Sequence, residues 1–125
     1  MSSHSLKDAA LEFLLLVASG KVAEAFDRHA SAGLRHHNPH VRGDAASLKQ
    51  AMQEGARRNP TKSLEVRRAL QEGNEVAVLS HVRQHPGDPG AAVVHILRFE
   101  GGRIVELWDI WHSVPQDSVN ENGMF

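Results

Sequence analysis

The chain has 125 residues, 41% of them apolar, and a formal charge of −1 from 14 basic against 15 acidic side chains. That length suits one domain able to bury its own core, the apolar share argues against disorder, and the charge balance leaves no footprint for nucleic acid or an anionic membrane. Cysteine is absent, which removes disulfides, thiolate metal sites and a Cys nucleophile; with nine histidines and no tyrosine, any polar site is built from imidazole, carboxylate, amide and indole groups.

Met1-Ser2-Ser3-His4 lacks a basic region leading into a long apolar core, so no signal peptide is evident and the expected location is the cytoplasm. From Ser5 to Ala18 the residues Leu6, Ala10, Phe13, Leu14 and Val17 fall at helical spacing. Ser5 is placed to cap this helix, with Asp8 reaching back to it, and Ser19-Gly20 ends it. Its apolar run, Phe13 to Ala18, is far too short to span a bilayer. A second short helix runs from Lys21 to His29 and aligns Val22, Ala25 and Phe26. The polar stretch Leu34 to His40 follows, its Pro39 disfavouring helix before it. Asp44 then caps a third helix carrying Leu48, Met52 and Ala56 along one side, closed by Asn59-Pro60.

Beyond Lys62 the period changes to that of strands. Runs from Lys62 to Leu70, Glu75 to His85, Ala91 to Glu100 and Arg103 to Ser113 are separated by Gly73-Asn74, Pro86 to Gly90 and Gly101-Gly102, which predicts a meander of hairpins. Helices followed by an antiparallel sheet define an α+β plan. Both faces of these strands are largely apolar. One parity supplies Ala77, Leu79, Val93, Leu97, Phe99, Val105, Leu107 and Trp111; the other supplies Val76, Val78, Val82, Val94, Ile96, Ile104, Trp108 and Ile110. Three helices cover one face only, so the expectation is a homodimer packed through the other, with Trp108 on that face. Coverage by a long loop or the C-terminal tail is the alternative.

The run Leu97-Arg98-Phe99-Glu100-Gly101-Gly102-Arg103-Ile104-Val105-Glu106-Leu107-Trp108-Asp109-Ile110 resembles the last hairpin of SnoaL-like polyketide-cyclase proteins, within the NTF2-like superfamily. His37-Asn38-Pro39 resembles the family's pocket-entrance segment, and Asn122-Gly123-Met124-Phe125 its C-terminus. The resemblance implies a cone, with helices closing one end of a curved, mostly antiparallel sheet around a pocket, and usually a dimer. It also implies an acid/base aspartate on the last strand and a histidine on the strand before it, positions that fall on Asp109 and His95.

Asp109 stands between Trp108 and Ile110 in an otherwise apolar strand. A carboxylate stripped of hydration is a better proton acceptor, as abstraction of a proton alpha to a carbonyl requires; the structural alternative ties it to an arginine or a backbone amide. His95 interrupts the apolar run Ala91 to Leu97, where a lone histidine is ordinarily a satisfied structural group unless it partners Asp109. A simple two-residue loop at Gly101-Gly102 would set the two on opposite faces, whereas a glycine bulge would bring them together. His81 is expected to face the same cavity, orienting Asp109, donating to a substrate oxygen or bonding locally. Trp111 serves as a pocket wall or as ordinary core packing, and His37 with Asn38 forms a polar lip.

His36, His37 and His40 cluster in sequence, with His112 or His85 as further donors. Their spacing matches no metal motif, so no metal is expected. The leading expectation is an enzyme of cyclase or isomerase type, needing no cofactor, that acts on an apolar small molecule. Asp109 removes a carbon-bound proton and His95 or His81 donates to the developing enolate. Without tyrosine, a phenolic donor is impossible. A non-catalytic binding module of the same fold is the rival, and a hydrolase or dehydratase using the same residues is a third reading.

Overall fold

The computed structural model describes residues 5–125; the reading of Met1 to His4 lies outside them. Helix α1, Leu6–Ala18, begins at Ser5, whose hydroxyl accepts from the Asp8 amide while the Asp8 carboxylate accepts from the Ser5 amide. A cap of this kind is worth about 1 kcal/mol. At its other end Gly20 takes a φ of 86°, and the amides of Gly20 and Lys21 donate to Val17 and Leu16, closing the last turn. Helix α2, Val22–His29, packs Phe26 against Phe13 with ring centroids 5.5 Å apart. Helix α3, Ala45–Arg58, is capped by Asp44, which accepts from the Ser47 amide at 2.9 Å.

Five strands form one sheet in the order β1-β5-β4-β3-β2. They are β1, Ala30–His37; β2, Ser63–Glu72; β3, Glu75–Arg83; β4, Ala91–Glu100; and β5, Arg103–Ser113. Strands β2 to β5 make the expected antiparallel meander, while β1 runs parallel to β5 at the edge. The sheet is open, not closed into a barrel, and the helices lie across one face of it. Between them sits the core: Phe13, Leu14 and Phe26 from the helices meet Val76, Val78, Leu97, Phe99 and Leu107 from the sheet. Burying a side chain of this size contributes about 1.5–3 kcal/mol.

Two expectations need correction. The segment from Leu34, read as a polar stretch, is in its first part strand β1. Its inward positions are Leu34 and His36, both buried, and a polar residue on the inner face disguises the alternation. The division of faces also changes. The β3–β4 register sets Val78 opposite His95 and Val76 opposite Leu97, so Val76, Val78 and Val82, rather than Ala77 and Leu79, join Val93, Leu97 and Phe99 beneath the helices. The connection between these strands pairs even positions with odd ones, so opposite parities share a face.

Candidate functional site

The β4–β5 hairpin decides whether a site exists. Its two-residue turn has φ of 58° at Gly101 and 79° at Gly102, as a primed turn requires. The turn pairs Glu100 with Arg103 and Phe99 with Ile104. Continued unbroken, that register would set His95 opposite Trp108 and leave Asp109 facing away. Instead Val105 is bulged out of the ladder, so Arg98 faces Glu106 and His95 faces Asp109. The two residues therefore share the helix-covered face. The shift lies beyond the glycines, in the strand itself, where sequence reasoning had looked to the turn.

A cavity of about 500 Å³ opens between α1, α3 and this face of the sheet. Leu14, Val17, Leu48, Met52, Leu64 and Val82 supply apolar wall, and Asn38, Lys62, His95 and Asp109 supply polar groups on it. His95 Nε2 stands 3.7 Å from Asp109 Oδ1, the side chains only 10% and 16% exposed. Asn38 Nδ2 donates to Asp109 Oδ2 at 2.9 Å, so one carboxylate oxygen is held and the other faces the imidazole. Burial pushes the His95 imidazole below its ordinary pKa, Asp109 opposes that and Lys62 adds to it; the neutral ring is favoured. His95 Nδ1 is buried without a partner, as is Ser80 Oγ on the neighbouring strand. Burial likewise lowers the pKa of Lys62, with Asp109 opposing.

Asn38 is fixed from behind. The buried His36 ring accepts at Nδ1 from the Asn38 amide, 3.1 Å away, which puts its proton on Nε2, and that nitrogen donates to the Arg42 carbonyl. Asn38 Oδ1 accepts from the His40 amide at 2.9 Å. The segment that follows β1 is thus tied into a bent lip that carries its amide to Asp109. Trp111, half exposed, stands at the cavity wall opposite Val93.

Two expected site residues lie elsewhere. His81 pairs with Ala92 across the β3–β4 ladder and so faces away from the cavity. Its Nε2 donates to the Pro89 carbonyl at 2.8 Å and its ring packs on Phe125. His37 follows His36 in a strand and therefore points to the opposite, outer face. There it donates to Glu106 at 2.7 Å and stacks on Trp108, with centroids 4.9 Å apart. Since His36 and His37 face opposite ways, the histidine cluster is no cluster in space. Among the described residues no group of three or more acidic or histidine side chains is arranged to hold a metal.

Sequence reading missed three residues. Lys62 lies just before β2, one alternation from Leu64; the predicted strand already began at Lys62, and carrying the alternation back from Leu64 puts it on the inner face. Ser80 was hidden among valines. Glu106 collects Arg35, His37 and Arg98 on the outer face, and those two charge-assisted arginine contacts with the histidine hold it well below the ordinary carboxylate range, at about 2, the His37 bond contributing most.

A mixed open sheet with helices on one face and a polar patch at the base of the cavity defines a small α+β pocket protein. The SnoaL-like domain family matches residues 10–107, and the chain belongs to it. Among solved structures it is similar to an NTF2-like protein of unknown function from Cytophaga hutchinsonii, at 18% identity over 89% of this chain and 93% of that one, with a TM-score of 0.73. It is similar also to AclR, a candidate hydroxylase from Streptomyces galilaeus, at 24% identity over 86% and 88%, TM-score 0.73. A candidate polyketide cyclase from Acidithiobacillus ferrooxidans aligns at 20% identity over 89% and 91%, TM-score 0.66. These likenesses show the NTF2-like fold. No curated protein matches the chain by sequence. Among the described residues no helix is long and apolar enough to cross a membrane.

Proposed function

We propose that the chain is a cyclase or isomerase that uses acid/base chemistry, without a cofactor, on an apolar carbonyl compound held in the cavity. The observation that carries this is the placing of Asp109 opposite His95 on a shared wall, both side chains largely buried. Asp109 Oδ1 takes a proton from the carbon next to the carbonyl, and the C–H electrons move to the carbonyl oxygen as an enolate. An N–H of the neutral His95 ring donates to that oxygen, where a donor in a dry site is worth more than in water. Asn38 keeps the carboxylate turned so that its free oxygen faces the ligand. Return of the proton to a different carbon completes an isomerisation; attack of the carbanion on a second carbonyl completes a cyclisation.

The measurement is deuterium uptake from D2O at the methyl group of 2-acetylnaphthalene, followed by proton NMR. The wild-type chain accelerates it, and Asp109→Asn slows that acceleration by about 100-fold or more, the scale of a positioned general base. Equal rates in the two proteins would sink the assignment of Asp109. A ketone that binds without exchange favours the second reading, a non-catalytic binding module. The 3.7 Å between His95 and Asp109, longer than a direct hydrogen bond, speaks for it.

The outer face supports a homodimer. Leu70, Ala77, Ile96 and Trp108 pair in turn across β2, β3, β4 and β5, with His37 continuing the row on β1. Leu70 and Ile110 are 62% and 58% exposed, while the helices lie on the opposite side. Phe125 packs on His81 and Arg67, away from Leu70 and Ile110, which stay exposed. A second copy, meeting the same row through a two-fold axis, is the occupant that fits a self-complementary apolar stripe.

A further inference from the structure

Lys62 reaches the cavity from the turn before β2. Among the described residues it forms no ion pair, although Asp109 is close enough to influence it. The same cavity is lined by Leu64 and Val82 from the sheet, by Met52 from α3, and by Asp109 and His95. A lysine held in apolar surroundings, with no carboxylate bound to it and a proton acceptor at hand, has what an amine nucleophile needs. We infer that Lys62 adds to the carbonyl carbon of an apolar aldehyde or ketone in the cavity and holds it as an imine.

The atoms balance without an oxidant or reductant. The free amine's lone pair forms the C–N bond while the carbonyl π electrons move to oxygen, which takes up a proton. Loss of the amine protons and departure of that oxygen as water leave C=N. Burial lowers the Lys62 pKa from its ordinary value, which raises the share of free amine that carries the lone pair. Once protonated, the imine acidifies the carbon bonded to the C=N carbon; Asp109 takes a proton from that carbon, the C–H electrons form C=C and the C=N π electrons move to nitrogen, giving an enamine. The inference rests on the reading of Asp109 as base only for this last step.

The test uses the folded wild-type chain with 2-naphthaldehyde and cyanoborohydride, which supplies hydride to the imine and makes the link permanent. Peptide mapping then compares Lys62 with Lys7, Lys21 and Lys49. Capture in a cavity raises the local concentration of aldehyde, so Lys62 is expected to be modified at least about tenfold faster than the others, and 2-acetylnaphthalene in excess is expected to protect it. Lys62→Arg keeps the cation but has no nucleophile at this pH, and is expected to slow the ketone exchange, leaving only the enolate route through Asp109 and His95. Uniform or absent labelling overturns the inference, as does wild-type exchange by Lys62→Arg, which would show that charge alone suffices. Labelling absent with exchange intact overturns the imine and spares Asp109 as base. Labelling present with no exchange in the wild type overturns the proton transfer and spares the imine.

Discussion

Glu106 sits on the outer face with His37 and two arginines around it, and that neighbourhood gives the protein a particular response to acid. Its pKa in the fold is about 2, against 4.5 for the free side chain, chiefly through the His37 hydrogen bond and then Arg98. A carboxyl depressed in the native state favours folding most above its unfolded pKa, and the contribution fades as pH falls through the folded one. The protein is therefore expected to lose thermal stability progressively between about pH 4.5 and pH 2. Glu106→Gln should be less stable at neutral pH and show a flatter profile over that same interval; an unchanged slope in thermal melts across it would refute the link. The site's own residues were unevenly legible. Asp109 and His95 stood out as polar breaks in apolar strands, and Asn38 as a turn residue. Which of His36 and His37 faces inward depends on strand alternation through a segment that reads as loop, and so His37 was assigned to the wrong side. Lys62 opened the run read as a strand, and its inner-face place follows from alternation with Leu64 carried back to that first residue.

At the level of elements, helices announced themselves through local chemistry: Ser5 with Asp8, Gly20, Asp44. Strand β1 did not, because its partner β5 lies far along the chain and the pairing is parallel, leaving no hairpin signal between them. The β3–β4 connection carries a demand of its own. Gly90 has a φ of 84°, and a Cβ there would meet the Val82 carbonyl oxygen at 2.4 Å and His81 Nε2 at 2.8 Å. Gly90→Ala combines left-handed strain with a backbone collision. It is expected to destabilise the chain by about 2 kcal/mol or more, whereas Gly73→Ala, which meets no atom within 4 Å, carries only the strain. Chemical denaturation of the two variants side by side distinguishes them, and equal losses would contradict the contact.

For the whole molecule, the α+β plan was readable from the order of helices and strands, whereas the pairing of sheet faces was not, because parity passes through turns whose length alone does not fix register. The outer row matters here. Ile110 is exposed on that face, two residues beyond Trp108 on β5, so Ile110→Glu should leave the fold intact while placing two like charges at the meeting of two copies. Light scattering is expected to show a dimer for the wild type and a monomer for the variant, with far-UV circular dichroism unchanged. A monomeric wild type would remove the dimer.

The bulge at Val105 carries a single bit of information, inward or outward, for every residue of β5 that follows it. Were Val105 to enter the ladder as an ordinary paired residue, Asp109 would turn out of the cavity, but Leu107 would also be exposed and Glu106, with its charge, driven beneath the helices. The reactive arrangement and the folded core are thus written in one symbol. A copy that misreads it forfeits core packing along with the acid/base pair, so folding itself screens each newly made chain for the correct setting.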